Sequence, residues 1–300
     1  MPQTPTLANW LSILSLGVIW GGTFMIMSIA LQDYGAVTVA TARTTLGALA
    51  LLVPMILLGR GFPAWDAKLW GFIIAAGVLS TALPFFLLSW GQQHVPSAFA
   101  GLSMAAIPLF VLPLAHVFVP GEQLSRRRTL GFGLGFLGAA VLIGPGILEA
   151  GKGNLEALGR LSCIAAALSY AIASILTRRC PPVDPVALAA LTLVVGSVVL
   201  LPAMFIVDGM PVWSGGQTGA ALIFLGLVPT GLAVFLRTSV IRSAGPGFMT
   251  LVNYQVPVWS MLFGALVLNE ALPGRFFIAL ALILTGLGIS HWRRKRPPPE

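Results

Sequence analysis

Ten apolar runs divide this chain, each close to the roughly 20 residues that a helix needs to cross a bilayer. They cover residues 10–31, 36–58, 69–90, 97–118, 129–147, 158–178, 185–207, 218–236, 245–268 and 275–292. The links between them are short and leave no room for a soluble domain. The longest polar link, 149–156, falls in the middle of the chain. Of the 300 residues, 57% are hydrophobic and 9% are charged, against about 25% charged in a soluble domain. The expected fold is therefore an all-α polytopic membrane protein with ten transmembrane helices.

The formal charge of +8 does not point to nucleic acid, because the cations are spread over short loops and the C-terminal tail. Lys and Arg accumulate on the cytoplasmic side of membrane proteins. With the N-terminus inside, thirteen of the seventeen fall inside: Arg60, Lys68, Arg126, Arg127, Arg128, Arg178, Arg179, Arg237, Arg242, Arg293, Arg294, Lys295 and Arg296. Only Lys152, Arg160 and Arg275 fall outside, and Arg43 lies within a segment. The expectation is a plasma (inner) membrane protein with both termini cytoplasmic. The N-terminal stretch has no basic region and no small-residue cleavage site, so the first run reads as a retained helix. Cys163 and Cys180 would be roughly 25 Å apart on one helical axis, too far for a disulfide. No cofactor is implied, and no metal-ligand spacing occurs.

The two halves of the chain repeat. At an offset of 149, Gly47 falls on Gly196, Gly77 on Gly226, Thr81 on Thr230 and Pro108 on Pro257. With one residue less, Pro54 falls on Pro202, Glu122 on Glu270 and Gly138 on Gly286. Five spans per copy is an odd number, so the second copy must be inverted. Carriers built this way place their site near the midplane at the repeat interface. The expected units are 1–148 and 157–300, the second ending in a basic tail.

These residues carry a resemblance over the whole chain. Trp20-Gly21-Gly22-Thr23-Phe24, Arg43, Pro108 and Gly121-Glu122, then Pro257, Asn269-Glu270 and Leu284-Thr285-Gly286-Leu287-Gly288, make the chain similar to the drug/metabolite transporter superfamily, EamA-like branch. The resemblance implies two inverted five-helix repeats and the export or exchange of small metabolites. That branch includes aromatic amino-acid exporters of the YddG type, along with sugar, nucleotide-sugar and sugar-phosphate carriers. Arg43 aligns with Thr192, so a charge in the second segment is not duplicated.

Polar groups inside membrane segments mark candidate sites. Asn253, Tyr254 and Gln255 stand close before Pro257 in the ninth run, opposite the apolar Met104-Ala105-Ala106 of the first half. As consecutive residues they fan over roughly 200° of a helix. They serve either a substrate or neighbouring helices. Trp20 and Thr23 in the first run, with Tyr170 beside Ser169 in the sixth, put aromatic groups at mid-depth. Thr81 and Thr230 are a matched pair that satisfies backbone freed by proline or touches substrate. Arg43, roughly 10 Å inside its segment, holds a substrate carboxylate or phosphate, or pairs with an outer acid, for which Glu270 is the candidate. Glu122 and Glu270 are expected to cap the helices that follow them. Pro84, Pro108, Pro229 and Pro257 are the expected hinges.

No Asp or Glu lies in the middle of a run, which disfavours tight proton or sodium coupling. Enzyme signatures such as HExxH and GxSxG are missing as well. The expected function is export of amino acids with aromatic or large apolar side chains, by alternating access and without tight ion coupling. The partners are a small-molecule substrate and lipid, with a monomer sufficient. A sugar or phosphorylated-metabolite carrier using Arg43, and a non-transporting scaffold or receptor, are the alternatives.

Overall fold

The structure is a computed structural model and describes residues 5–59, 61–119, 125–144 and 154–291. Among them are ten helical segments and no strands. They are α1 (Leu7–Ala30), α2 (Ala36–Leu57), α3 (Ala67–Gln92), α4 (Ser97–Phe118), α5 (Arg126–Ile143), α6 (Leu155–Arg179), α7 (Pro185–Val207), α8 (Gly216–Ala244), α9 (Gly247–Val267) and α10 (Gly274–His291). Eight are long and apolar enough to cross a membrane. The other two are 18 residues each: α5, which opens on Arg126-Arg127-Arg128, and α10.

Helix starts follow the polar residues at the ends of the apolar runs. Asp66, Ser125, Asn154 and Asp184 each accept a hydrogen bond from a backbone N–H of the first turn they precede, the usual repair for donors that have no intrahelical partner. One boundary moves substantially. The eighth run was expected to end at residue 236, but α8 continues to Ala244 and stops at Gly245, whose φ of 86° suits glycine. Val240 is buried, so the extra turns have packing to support them, and Arg237 and Arg242 lie within the helix.

Exchanging the two halves exchanges the packing pairs. α2 lies on α7 and α5 on α10; α1 packs on α9 as α6 packs on α4, and α1 on α8 as α6 on α3. The same exchange is visible at single residues. A Cβ on Gly47 would meet the Thr230 side chain at 2.5 Å, and one on Gly196 would meet Thr81. Gly77 lies against Val195, and Gly226 against Leu46. Each of these contacts is the other's copy at the offset of 149. In the α5–α10 pair Gly131 and Gly135 face Gly286, and a Cβ on Gly286 would run into the α5 backbone. Small residues allow this approach where lipid offers no hydrophobic drive between helices. The two cysteines are free.

Candidate functional site

Both third helices of the repeats lose their α-helical ladder at the same place. Val78–Ala82 of α3 and Gly226–Leu232 of α8 are π-helical. Proline supplies the reason. Pro229 lies inside its π turn and Pro84 comes just after the other, and neither has an N–H to return to the carbonyl four residues back. Thr230 Oγ1 donates to the Leu225 carbonyl at 2.9 Å, and Thr81 Oγ1 donates to those of Gly77 at 2.5 Å and Thr192 at 3.1 Å. Carbonyls of the π turns are also held from the opposite half. Trp20 Nε1 donates to Pro229 O at 3.1 Å, and Ser169, its repeat mate, donates Oγ to Leu79 O at 2.7 Å.

Arg43 joins this centre. The residue is 8% exposed, its Nε donates to Thr230 Oγ1 at 3.1 Å, and its guanidinium lies over the Phe85 ring, 3.9 Å from the centroid. Tyr170 is within electrostatic range of Arg43 and packs on the apolar cluster containing Phe85. Trp20, Arg43, Phe85, Tyr170 and Thr230 thus form one neighbourhood where α1, α2, α3, α6 and α8 converge. Phe85 carries no polar signal in the sequence, and only its place after Pro84 marks it. Thr23, buried, donates back to the Ile19 carbonyl at 2.8 Å and belongs to the packing of α1.

Glu270 is not the partner of Arg43. Its two carboxylate oxygens accept from the N–H groups of Ser97 at 2.7 Å and Ala98 at 3.0 Å. It therefore caps α4 from across the molecule and not the helix that follows it in sequence. The reason is local: the Glu270 N–H bonds Gly264 O, and Glu270 packs back against Gly264 and Ser97. Glu122, its counterpart, lies outside the described residues.

Asn253, Tyr254 and Gln255 diverge, as consecutive helical residues must. Asn253 is exposed. Tyr254 packs against Ala105, Ile283 and Leu287, on the side of α4 and α10. Gln255 lies against Gly17 of α1. The ladder of α9 tightens ahead of Pro257, with Leu251, Asn253 and Tyr254 each donating to the carbonyl three residues back. In α4 a 3₁₀ turn, Met104–Ala106, precedes Pro108 at the matching position. All four expected hinge prolines therefore stand beside an irregular turn. Gln92 is buried and donates Nε2 to Phe24 O and Ser28 Oγ of α1, both at 2.9 Å.

The two ends of the bundle differ. Where α2 and α8 finish and α7 begins, a cavity of about 510 Å³ opens, lined by Pro54, Met55, Leu58, Val186, Phe235, Thr238, Ser239, Arg242 and Ser243. It does not contain Arg43. Two of its lining residues, Met55 and Phe235, also belong to the apolar cluster that holds Phe85 and Tyr170. This is the end that the distribution of Lys and Arg makes basic. At the opposite end, Asp208 accepts from Thr38 N at 2.7 Å and Thr38 Oγ1 at 2.9 Å, Asp33 from Thr218 Oγ1 at 2.6 Å, and the Tyr34 hydroxyl from Ser214 N at 3.1 Å. With Glu270, each of these links joins one half of the chain to the other. The signal in the sequence was an acid within a few residues of the end of an apolar run, in three of the loops at this end.

Among the described residues no cluster of His, Cys, Asp and Glu could hold a metal ion. Residues 8–144 and again 157–291 match the model of the EamA-like transporter family. The uncharacterized transporter YoaV of Bacillus subtilis is 26% identical over 280 residues, 92% of this chain and 94% of that protein. The aromatic amino acid exporter YddG of Ancylobacter novellus is 26% identical over 273 residues, 91% of this chain and 89% of its own. A solved crystal structure of 22% identity shares the fold with a TM-score of 0.68, over 97% of this chain and 98% of the other.

Proposed function

Because this chain belongs to the EamA-like transporter family, we propose that it exports small metabolites, with aromatic or large apolar amino acids as the cargo. It is a multi-pass membrane protein and a transporter, not an enzyme. The finer reading rests mainly on the aromatic centre. Phe85 stacks on one cation with Tyr170 and Trp20 in the same neighbourhood, and a cavity at the basic end borders the same apolar cluster. Such a centre suits a solute with an apolar ring and a single anionic group. The name of the Ancylobacter relative supports the same class.

In this reading the basic end is the cytoplasmic side, both termini are inside, and the cavity at that end faces the cytoplasm. Residues 1–148 and 157–300 are the two moving units. Pro84, Pro108, Pro229 and Pro257 let α3, α4, α8 and α9 bend as the units rock. Trp20, Arg43, Thr81, Tyr170 and Thr230 contribute to the central site, with Thr23 behind them. Of Asn253, Tyr254 and Gln255, which diverge around α9, Gln255 faces α1 and is the one assigned to the path. With no carboxylate deep in a span, the carrier equalises its cargo or exchanges it.

Efflux from proteoliposomes tests this. Vesicles loaded with labelled phenylalanine release it faster than protein-free vesicles, at the same rate with and without a pH gradient. Release that requires the gradient sinks the uncoupled mechanism, and no release of any amino acid sinks the cargo.

A further inference from the structure

We propose that Arg43 is the substrate-carboxylate site: its two Nη nitrogens receive the carboxylate of the transported solute as a bidentate pair. The proposal rests on the amino-acid reading above and adds the atom that recognises the cargo.

A guanidinium has five N–H donors in a rigid fork and no acceptor. Nε is used by Thr230, and one face of the plane is covered by Phe85. The four N–H donors on the two Nη atoms make no hydrogen bond among the described residues, and no carboxylate there pairs with Arg43. Neither Nη is among the atoms that are both buried and unpartnered. Both therefore keep some accessible surface, although the residue as a whole is 92% buried. The held Nε and the stacked face leave the outer edge of the fork unpartnered, the edge that matches a carboxylate with two parallel bonds.

The energetics point the same way. A charge in the membrane interior with no counterion is costly. Arg43 follows the start of α2 by seven residues, roughly 10 Å along the axis. Its only described companions are a hydroxyl, two aromatic rings and apolar side chains. A monoanion arriving at the fork supplies the missing partner. A dianionic phosphate would bring a second charge for which this neighbourhood has no cation, so the single guanidinium selects a carboxylate. Tyr170 and Phe85 provide the rings against which an apolar side chain packs.

The test uses purified protein in liposomes and three labelled probes: phenylalanine, phenylalaninamide and 3-phenylpropionate, each corrected for protein-free vesicles. Wild-type protein is expected to move phenylalanine faster than its amide by roughly 10- to 100-fold, the worth of a charge-assisted bidentate pair. Arg43→Gln lowers phenylalanine transport by that factor and leaves the amide nearly unchanged, so the acid-to-amide ratio collapses toward one. A purely structural arginine lowers both together and keeps the ratio, which overturns the proposal. Should Arg43→Gln not fold, Arg43→Lys keeps the charge without the fork. Its ratio falls about tenfold if the fork does the recognising, and an unchanged ratio overturns the proposal. Wild-type protein that moves phenylalanine and its amide equally removes the Arg43 site and leaves amino-acid transport standing. Arg43-dependent movement of 3-phenylpropionate without phenylalanine does the reverse. Movement of none of the three overturns both.

Discussion

At the start of α7 the Ala187 N–H is capped by Asp184, three residues away on its own helix; at the matching position in α2 the Thr38 N–H is capped by Asp208, from the other half. A related contrast lies one helix later. Leu69 N, at the start of α3, bonds Asp66, whereas Thr218, its counterpart in α8, donates its hydroxyl to Asp33 across the repeats. At the first pair of helix starts the same shortage of acceptors is met in two ways; at the second, α8 has no side-chain cap and its acid contact is a side-chain link between the halves. At the basic end the cap is local, and the described side-chain hydrogen bond between halves is neutral, Ser243 Oγ to Asn9 Oδ1 at 2.7 Å. At the opposite end α6 keeps its own Asn154 cap, but α2 and α4 borrow theirs, and each borrowed carboxylate ties the halves together. A local cap survives any movement of one half against the other, while a borrowed cap must break. The acids at these loops therefore bear on the conformational equilibrium as well as on helix stability.

Breaking this contrast should have its largest effect at Glu270, which serves two backbone donors at once. Glu270→Ala is expected to cost about 2–3 kcal/mol of stability in this state, read as a lower melting temperature in detergent. It should also expose the start of α4. A thiol placed by Ser97→Cys, at a buried hydroxyl that already lacks a partner, is unreactive to a hydrophilic maleimide in the parent and reactive once Glu270 is removed. Equal labelling in both backgrounds would show that Glu270 does not seal this end. Asp208→Ala comes next, at about 1–2 kcal/mol, with a shift toward the state open at this end. Thiol labelling at the Ser97 site in proteoliposomes should rise with it, and no rise removes Asp208 from the seal. Tyr34→Phe deletes one acceptor for Ser214 N and is expected to cost about 1 kcal/mol, seen as a smaller melting shift. Asp184→Ala should be the mildest. It loses an ordinary helix cap, about 1 kcal/mol or less, and leaves labelling at Ser97 unchanged. If it opens the far end as Asp208→Ala does, the distinction between local and borrowed caps fails.

Much of the architecture was legible before any coordinates. Length and apolarity delimit the ten segments, and the offset between Gly47 and Gly196, or Thr81 and Thr230, corresponds to contacts that are copies of one another. Small residues and prolines are readable because they constrain backbone in ways no other residue does. The partners of long polar side chains are harder. Glu270 and the backbone it caps are 172 and 173 residues apart, and nothing near Glu270 in sequence encodes Ser97. Asn253, Tyr254 and Gln255 drew attention by composition, but their directions depend on the tightened turn before Pro257. Arg43 was visible as a lone charge. Its neighbourhood was not, since Phe85 and Tyr170 reach it from α3 and α6.

The unequal pair that holds the two π turns, Trp20 on Pro229 and Ser169 on Leu79, bears on kinetics. In a perfectly duplicated carrier, rocking one way or the other would give mirror states of equal free energy. An indole on one side and a hydroxymethyl on the other remove that degeneracy, as does Arg43 opposite Thr192. The resting population then leans to one face, and the apparent affinity on the other face is weakened by the fraction of molecules presenting it. For a carrier without an ion gradient this bias cannot change the final concentration ratio of cargo, because no solute is moved uphill by a difference in resting populations. It makes the half-saturating concentration differ between the two faces, with the maximal rates differing in proportion.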